Sequence, residues 1–213
     1  MMQMQITPVV KNIIILNVFI FLLLFLPLGL LDQFGEYLVM FKSNALGFRG
    51  ENFRDYFKPI QIVTGFLTHI EPFHLIFNML ALYFIGVPVE QSIGSSRFAK
   101  FYLFCGVISG IVIVFLDPTP NPVLGASTAI SGILAAFGIM HPDAKISLFF
   151  LLPIKARDLF LGAAVISAVL ALFQMVDSDL IEMGRVSHFG HLAGMLAGAL
   201  FFYLEKYIPF LRK

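Results

Sequence analysis

Three short polar islands interrupt an otherwise lipid-soluble chain: His74–Asn78 (HLIFN), Gly125–Thr128 (GAST) and Ser187–Gly194 (SHFGHLAG). Their residue types could carry out acyl transfer. A serine hydroxyl such as that of Ser127 is a weak nucleophile and needs a base within hydrogen-bond reach. His191 can serve, because desolvation favours a neutral imidazole that accepts a proton. The oxyanion formed on attack needs aimed donors, and the candidates are the Asn78 amide, a His74 ring N–H and the backbone N–H of Ser127 at a helix start. Asp117, Asp177 and Asp179 read as loop residues, so the expectation is a Ser–His dyad without a third member.

These residues must be positioned by membrane spans. Hydrophobic residues make up 59% of the 213 and charged residues 13%, far from the balance of a soluble domain. Mean hydropathy is +0.90. A net charge of +1 offers no basic face for nucleic acid, and the single cysteine, Cys105, excludes a disulfide framework and a cysteine-based metal site. At roughly 20 apolar residues per span, six spans are expected, at about 12–31, 73–90, 98–116, 125–140, 158–176 and 189–207. The apolar run from Ile13 to Leu31 has only Lys11 before it and lacks a small-residue cleavage site, so it reads as a retained span. Gly, Pro or charged residues punctuate the other boundaries. The fold class expected is an all-α membrane bundle forming a single domain over 1–213.

Nine of the 14 basic residues fall on one side if the N-terminus is cytoplasmic, which places both termini there. The second, fourth and sixth spans then all enter from the outer face, and the three islands lie at one depth. Helical spacing adds which faces meet. Ser127, Ser131, Ala135 and Gly138 form one stripe of small residues; His191, Gly194 and Gly198 form another, with the G-x-x-x-G spacing of closely packed helices. His74 and Asn78, four apart, share a face of the second span.

Blander roles exist for each residue. Ser127 could cap a helix, and His74 and Asn78 could be interhelical hydrogen-bonding glue. His188 competes with His191 as the base but lies a turn nearer water and off the glycine register. His69, His74, His188 and His191 could hold zinc, but no carboxylate or cysteine completes a familiar spacing. A small transporter would need polar residues on the inner halves of the spans, which are nearly all apolar. His141 reads as a loop residue; Glu90 and Arg97 read as helix-end features, with Glu90 pairing on the cytoplasmic side.

The chain resembles the rhomboid intramembrane serine proteases over nearly its whole length. The resemblance rests on FLTHIEPFHLIFNMLALYFIG and VEQSIGSSRFAKFYL (66–103), GASTAISG (125–132) and GHLAGMLAG (190–198), in family order and spacing. It implies a six-transmembrane-helix rhomboid-like bundle with Ser127 as nucleophile, His191 as base, and His74 and Asn78 assisting the oxyanion. Gly125, Gly194, Gly198 and His69 would support the site. The segment 32–72 would be the membrane-embedded lateral loop and 177–187 a flexible cap. The activity implied is a serine endopeptidase that cuts transmembrane protein substrates within the lipid bilayer near its outer face, with no cofactor and no metal. A compact six-span form without appended domains suggests the bacterial inner membrane. Two positions depart from the family pattern: Thr128 follows the nucleophile where glycine is usual, and Ser131 stands where an aromatic ring often packs on the catalytic histidine. They motivate an alternative, a catalytically inactive rhomboid-fold protein that binds transmembrane segments.

Overall fold

The computed structural model describes residues 5–26, 34, 37–38, 57–117, 123–148, 152–176, 187–205 and 207–212. Most of the expected lateral loop and nearly all of the expected cap lie outside these residues.

Among the described residues the chain is a helical bundle. Helix α1 spans Pro8–Phe25. A short helix α2 (Gln61–Thr64) runs into a 3₁₀ turn at Gly65–Leu67. Helix α3 (Pro72–Ala81) passes through a π turn at Leu82–Gly86 into α4 (Val87–Ile93). Pro88 has no N–H to donate and would crowd the carbonyl four residues back, and the wider π turn gives its ring room. Gly94, at φ +84°, then breaks the helix before α5 (Ser95–Leu116). Helix α6 spans Ser127–Met140, α7 Ala156–Val176, α8 His188–Leu204 and α9 Pro209–Arg212.

Among the described residues, three stretches are long and apolar enough to cross a membrane: Pro72–Ile93, Ser95–Leu116 and Ala156–Met175. Three more apolar helices, Pro8–Leu24, Ser127–Met140 and His188–Leu204, are shorter. Each of the six expected apolar segments contains a helix among the described residues, but the helix ends differ from the expected ones. The first begins earlier, at Pro8, because Glu90 caps it. Its expected end, at 31, lies outside the described residues. The sixth ends at Leu204 and not at 207.

Between α6 and α7 the chain forms an antiparallel hairpin, β1 (Lys145–Leu148) and β2 (Leu152–Lys155), pairing Lys145 with Lys155 and Leu148 with Leu152. It falls between the expected fourth and fifth spans, and its four-residue strands carry too few alternations to stand out as a period.

Helix α6 is the centre of the bundle. Ten of its 14 residues are buried, and it packs against α5, α7 and above all α8. Large side chains fill the space around it: Phe66, Leu82, Phe98, Phe101, Tyr102 and Phe201 are essentially inaccessible. Outward-facing apolar residues such as Phe19, Phe73, Phe115, Ile166 and Leu172 are exposed, as a lipid-facing surface requires. One buried carboxylate ties the bundle together at the far end from the islands. Glu90 accepts hydrogen bonds from Thr7 Oγ1 (2.6 Å), the Val9 and Val10 N–H groups (3.0 and 2.9 Å) and Ser95 Oγ (2.6 Å). It therefore satisfies the orphan donors at the start of α1 and complements that helix's dipole. Arg97 pairs with Glu205 near the same end.

Candidate active site

Ser127 is the first residue of α6, and the turn before it is forced by two constraints. Gly125 sits at φ +107°, where a side chain is strained. A Cβ there would also stand 2.5 Å from Cε1 of His74, so only glycine lets the turn lie against that imidazole. The Gly125 N–H donates to the Gly65 carbonyl (2.8 Å), tying the turn to the segment preceding α3.

His69 supplies a second tie. The Ala126 N–H donates to His69 Nε2 (3.3 Å), so that nitrogen carries no proton, and the Asn78 amide at 3.0 Å must be a donor as well. One neutral imidazole thus joins α3 to the turn carrying the serine. Burial, reinforced by the neighbouring His74, pushes the pKa of His69 down to about 3. The His69 and His74 rings meet edge to face with centroids 5.1 Å apart. The anchoring use of His69 had a signal in the sequence, since it stands beside the His74–Asn78 island; its partners did not.

His191 approaches from α8. Its Nε2 lies 2.9 Å from Ser127 Oγ, a hydrogen bond between two half-buried side chains 64 residues apart in sequence. The His188 ring stands 6.1 Å from that of His191.

The approach of α8 to α6 depends on glycine. A Cβ on Gly194 would lie 2.0 Å from the Thr128 carbonyl oxygen, and one on Gly198 would lie 2.5 Å from that of Gly132. This corrects the expected facing stripes. The surface that meets Gly194 and Gly198 is the Thr128–Gly132 backbone, one residue round from Ser127 and Ser131. The reason is steric: the closest approach falls where both helices expose backbone, and Gly132 supplies it on α6. Gly138, expected on the same stripe, packs instead against Phe160 of α7.

The two departures from the family pattern are both accommodated. Thr128 is buried with its methyl group directed at Gly190, which has no Cβ to oppose it. Ser131 Oγ donates to the Ser127 carbonyl (2.8 Å), so its hydroxyl is satisfied within the helix.

Asp117 lies outside the helices, as expected, but it is not exposed. It terminates α5, is fully buried, and accepts a hydrogen bond from Ser187 Oγ at the start of α8. The sequence gives no sign of this, because the two residues are 70 apart. Among the described residues no cluster of histidine, cysteine or carboxylate side chains has a metal-binding arrangement.

A lipid-embedded helical bundle with a serine and a histidine hydrogen-bonded between two closely packed helices defines a polytopic membrane protein. The family follows from comparison: the Rhomboid domain model matches residues 56–207, and the chain belongs to the rhomboid family. It is 28% identical over 153 residues to the mitochondrial Rhomboid protein 1 of Saccharomyces cerevisiae, covering 69% of this chain and 42% of that protein. It is 29% identical over 165 residues to the rhomboid protease GluP of Bacillus subtilis, covering 76% of this chain and 28% of that protein. To the inactive rhomboid-related protein 2 of Caenorhabditis elegans it is 32% identical over 145 residues, covering 68% and 40%. The chain therefore spans less than half the length of these curated relatives, and they include one named a protease and one named inactive. It is an integral membrane protein, but relatives from mitochondria give no support to the expected bacterial inner membrane.

Proposed function

We propose that the chain is an intramembrane serine endopeptidase whose nucleophile is Ser127 and whose general base is His191. The observation that carries this is the 2.9 Å contact between His191 Nε2 and Ser127 Oγ at the end of the central helix. In the acylation step His191 takes the hydroxyl proton as Oγ attacks the scissile carbonyl, and returns it to the leaving amine. The Ser127 N–H has no intrahelical partner in the first turn of α6 and serves as one donor to the oxyanion. Asn78 spends one amide hydrogen on His69 and keeps the other for the same task, and His74 lies beside Gly125 in the same turn. A water activated by His191 then hydrolyses the acyl-enzyme, and no metal or cofactor takes part.

The site must admit both water and a lipid-embedded peptide. Helix α6 is about 21 Å long at 1.5 Å per residue, less than the roughly 30 Å hydrocarbon core. A short central helix puts Ser127 below the outer surface, so water must reach it from the outer face. Helix α7 is the least enclosed of the long helices, 17% buried against 44% for the other two, and is the side from which a transmembrane substrate enters. The substrate must unwind locally, because a peptide bond held in a helix is closed to attack; small residues near the cut favour this. The start of α1, at Glu90, and the end of α8, at the Arg97–Glu205 pair, lie on the face opposite the site.

The second reading is an inactive rhomboid-fold protein that binds transmembrane segments, favoured by Ser131 in place of a ring beside the imidazole. Cleavage in proteoliposomes separates the two. The proposal expects cuts near the outer end of Gly-containing transmembrane segments and none with Ser127→Ala. Binding of such segments without cutting favours the inactive form. If uninterrupted poly-Leu segments are cut equally well, the unwinding requirement is wrong.

A further inference from the structure

We infer that Asp117 is a positioning residue for the dyad, acting through Ser187 to fix the start of α8 and hence His191. The inference rests on the protease reading above. Ser187 is the N-cap of α8 and holds that helix's first turn twice: its Oγ accepts the Gly190 N–H (2.9 Å), and its carbonyl accepts the His191 N–H (3.0 Å). A hydroxyl has one proton to give. Asp117 Oδ2 takes that proton, which leaves an Oγ lone pair facing the Gly190 N–H. The carboxylate also sits at the positive end of α8, where the helix dipole stabilises a negative charge.

The lock joins the end of α5 to the start of α8 in a fully buried place, and packing holds the same turn from the other side. A Cβ on Gly190 would meet Ile113 of α5 at 2.6 Å and Thr128 of α6 at 2.8 Å. The first turn of α8 is thus pressed against α6 by shape and anchored to α5 by the Asp117–Ser187 hydrogen bond. His191 is the last residue of that turn. An aspartate does contribute to this dyad, then, one residue removed from the imidazole and through the backbone.

The test compares the rate of fluorophosphonate labelling and the kcat and KM for a transmembrane reporter, in protein kept in lipid vesicles. Asp117→Ala and Ser187→Ala are each expected to slow labelling and lower kcat by about tenfold to a hundredfold, with KM unchanged. The double variant should be no worse than either single one, because both break the same link. Asp117→Asn keeps an acceptor oxygen and is expected to stay within about twofold of wild type. Wild-type rates in Asp117→Ala, or fully additive losses in the double variant, overturn the inference while the protease reading stands. A fall in folded protein that Asp117→Asn does not rescue assigns the pair a purely structural role and also overturns it. If wild type itself is neither labelled nor active, the protease reading fails first and takes this inference with it.

Discussion

Replacing Gly194 with alanine tests whether the dyad depends on the closeness of two helices. The new Cβ would stand 2.0 Å from the Thr128 carbonyl oxygen, a backbone atom with no rotamer to yield, and real contacts of this kind stop near 3.0 Å. Helices α6 and α8 must therefore separate locally by about 1 Å, at an overpacking cost of about 1–3 kcal/mol. His191 lies one turn before Gly194 on the same helix, so its contact with Ser127 opens from 2.9 Å to nearly 4 Å. Misplacement by about 1 Å in a reacting pair costs up to about a hundredfold in rate. The assay is fluorophosphonate labelling of vesicle-embedded protein, with Gly162→Ala as control, since a Cβ at Gly162 meets nothing within 4 Å. Gly194→Ala should label about a hundredfold more slowly and Gly162→Ala at the wild-type rate. Wild-type labelling of folded Gly194→Ala would refute the reasoning that backbone contact at Gly194 sets the dyad distance.

Two further outcomes follow from buried polar groups. Glu90→Ala removes the acceptor of three hydrogen bonds at the start of α1 and one from Ser95 at the start of α5, and should lower stability by about 2–4 kcal/mol; an unchanged thermal midpoint in detergent would contradict the capping role. His69 is held neutral in the folded chain, with a pKa of about 3, whereas an exposed imidazole titrates near ~6.5. Its contribution to stability is therefore complete above ~6.5 and is lost as pH falls toward 3. Thermal melts from pH 7 to pH 4 should fall more steeply for wild type than for His69→Gln, and equal slopes would refute the assignment.

The parts of this molecule legible in the sequence are those fixed by local period and by the cost of polar groups in lipid. Apolar length gave the six helical segments, and the spacing of Ser127, His191, Gly194 and Gly198 already pointed to two helices meeting closely. The finer contacts needed tertiary structure. Which residues of α6 face Gly194 and Gly198 depends on a shift of one position, smaller than a helical stripe can resolve. The long-range partners of His69, Asp117 and Glu90 lie 57, 70 and up to 83 residues away, and nothing in the sequence links the two ends of these contacts. Helix ends moved for the same reason: α1 starts at Pro8 because a carboxylate from α4 arrives to cap it. The hairpin between α6 and α7 was hidden because its four-residue strands carry too few alternations to mark a period.

The central claim is that Ser127 and His191 form a working nucleophile–base pair inside the membrane. The most direct test is mass-spectrometric mapping of a fluorophosphonate adduct on protein labelled in its bilayer. The account predicts a single adduct on Ser127, absent in Ser127→Ala and in His191→Ala and retained in His188→Ala. No adduct on wild type, or an adduct that survives His191→Ala and is lost in His188→Ala, would contradict it.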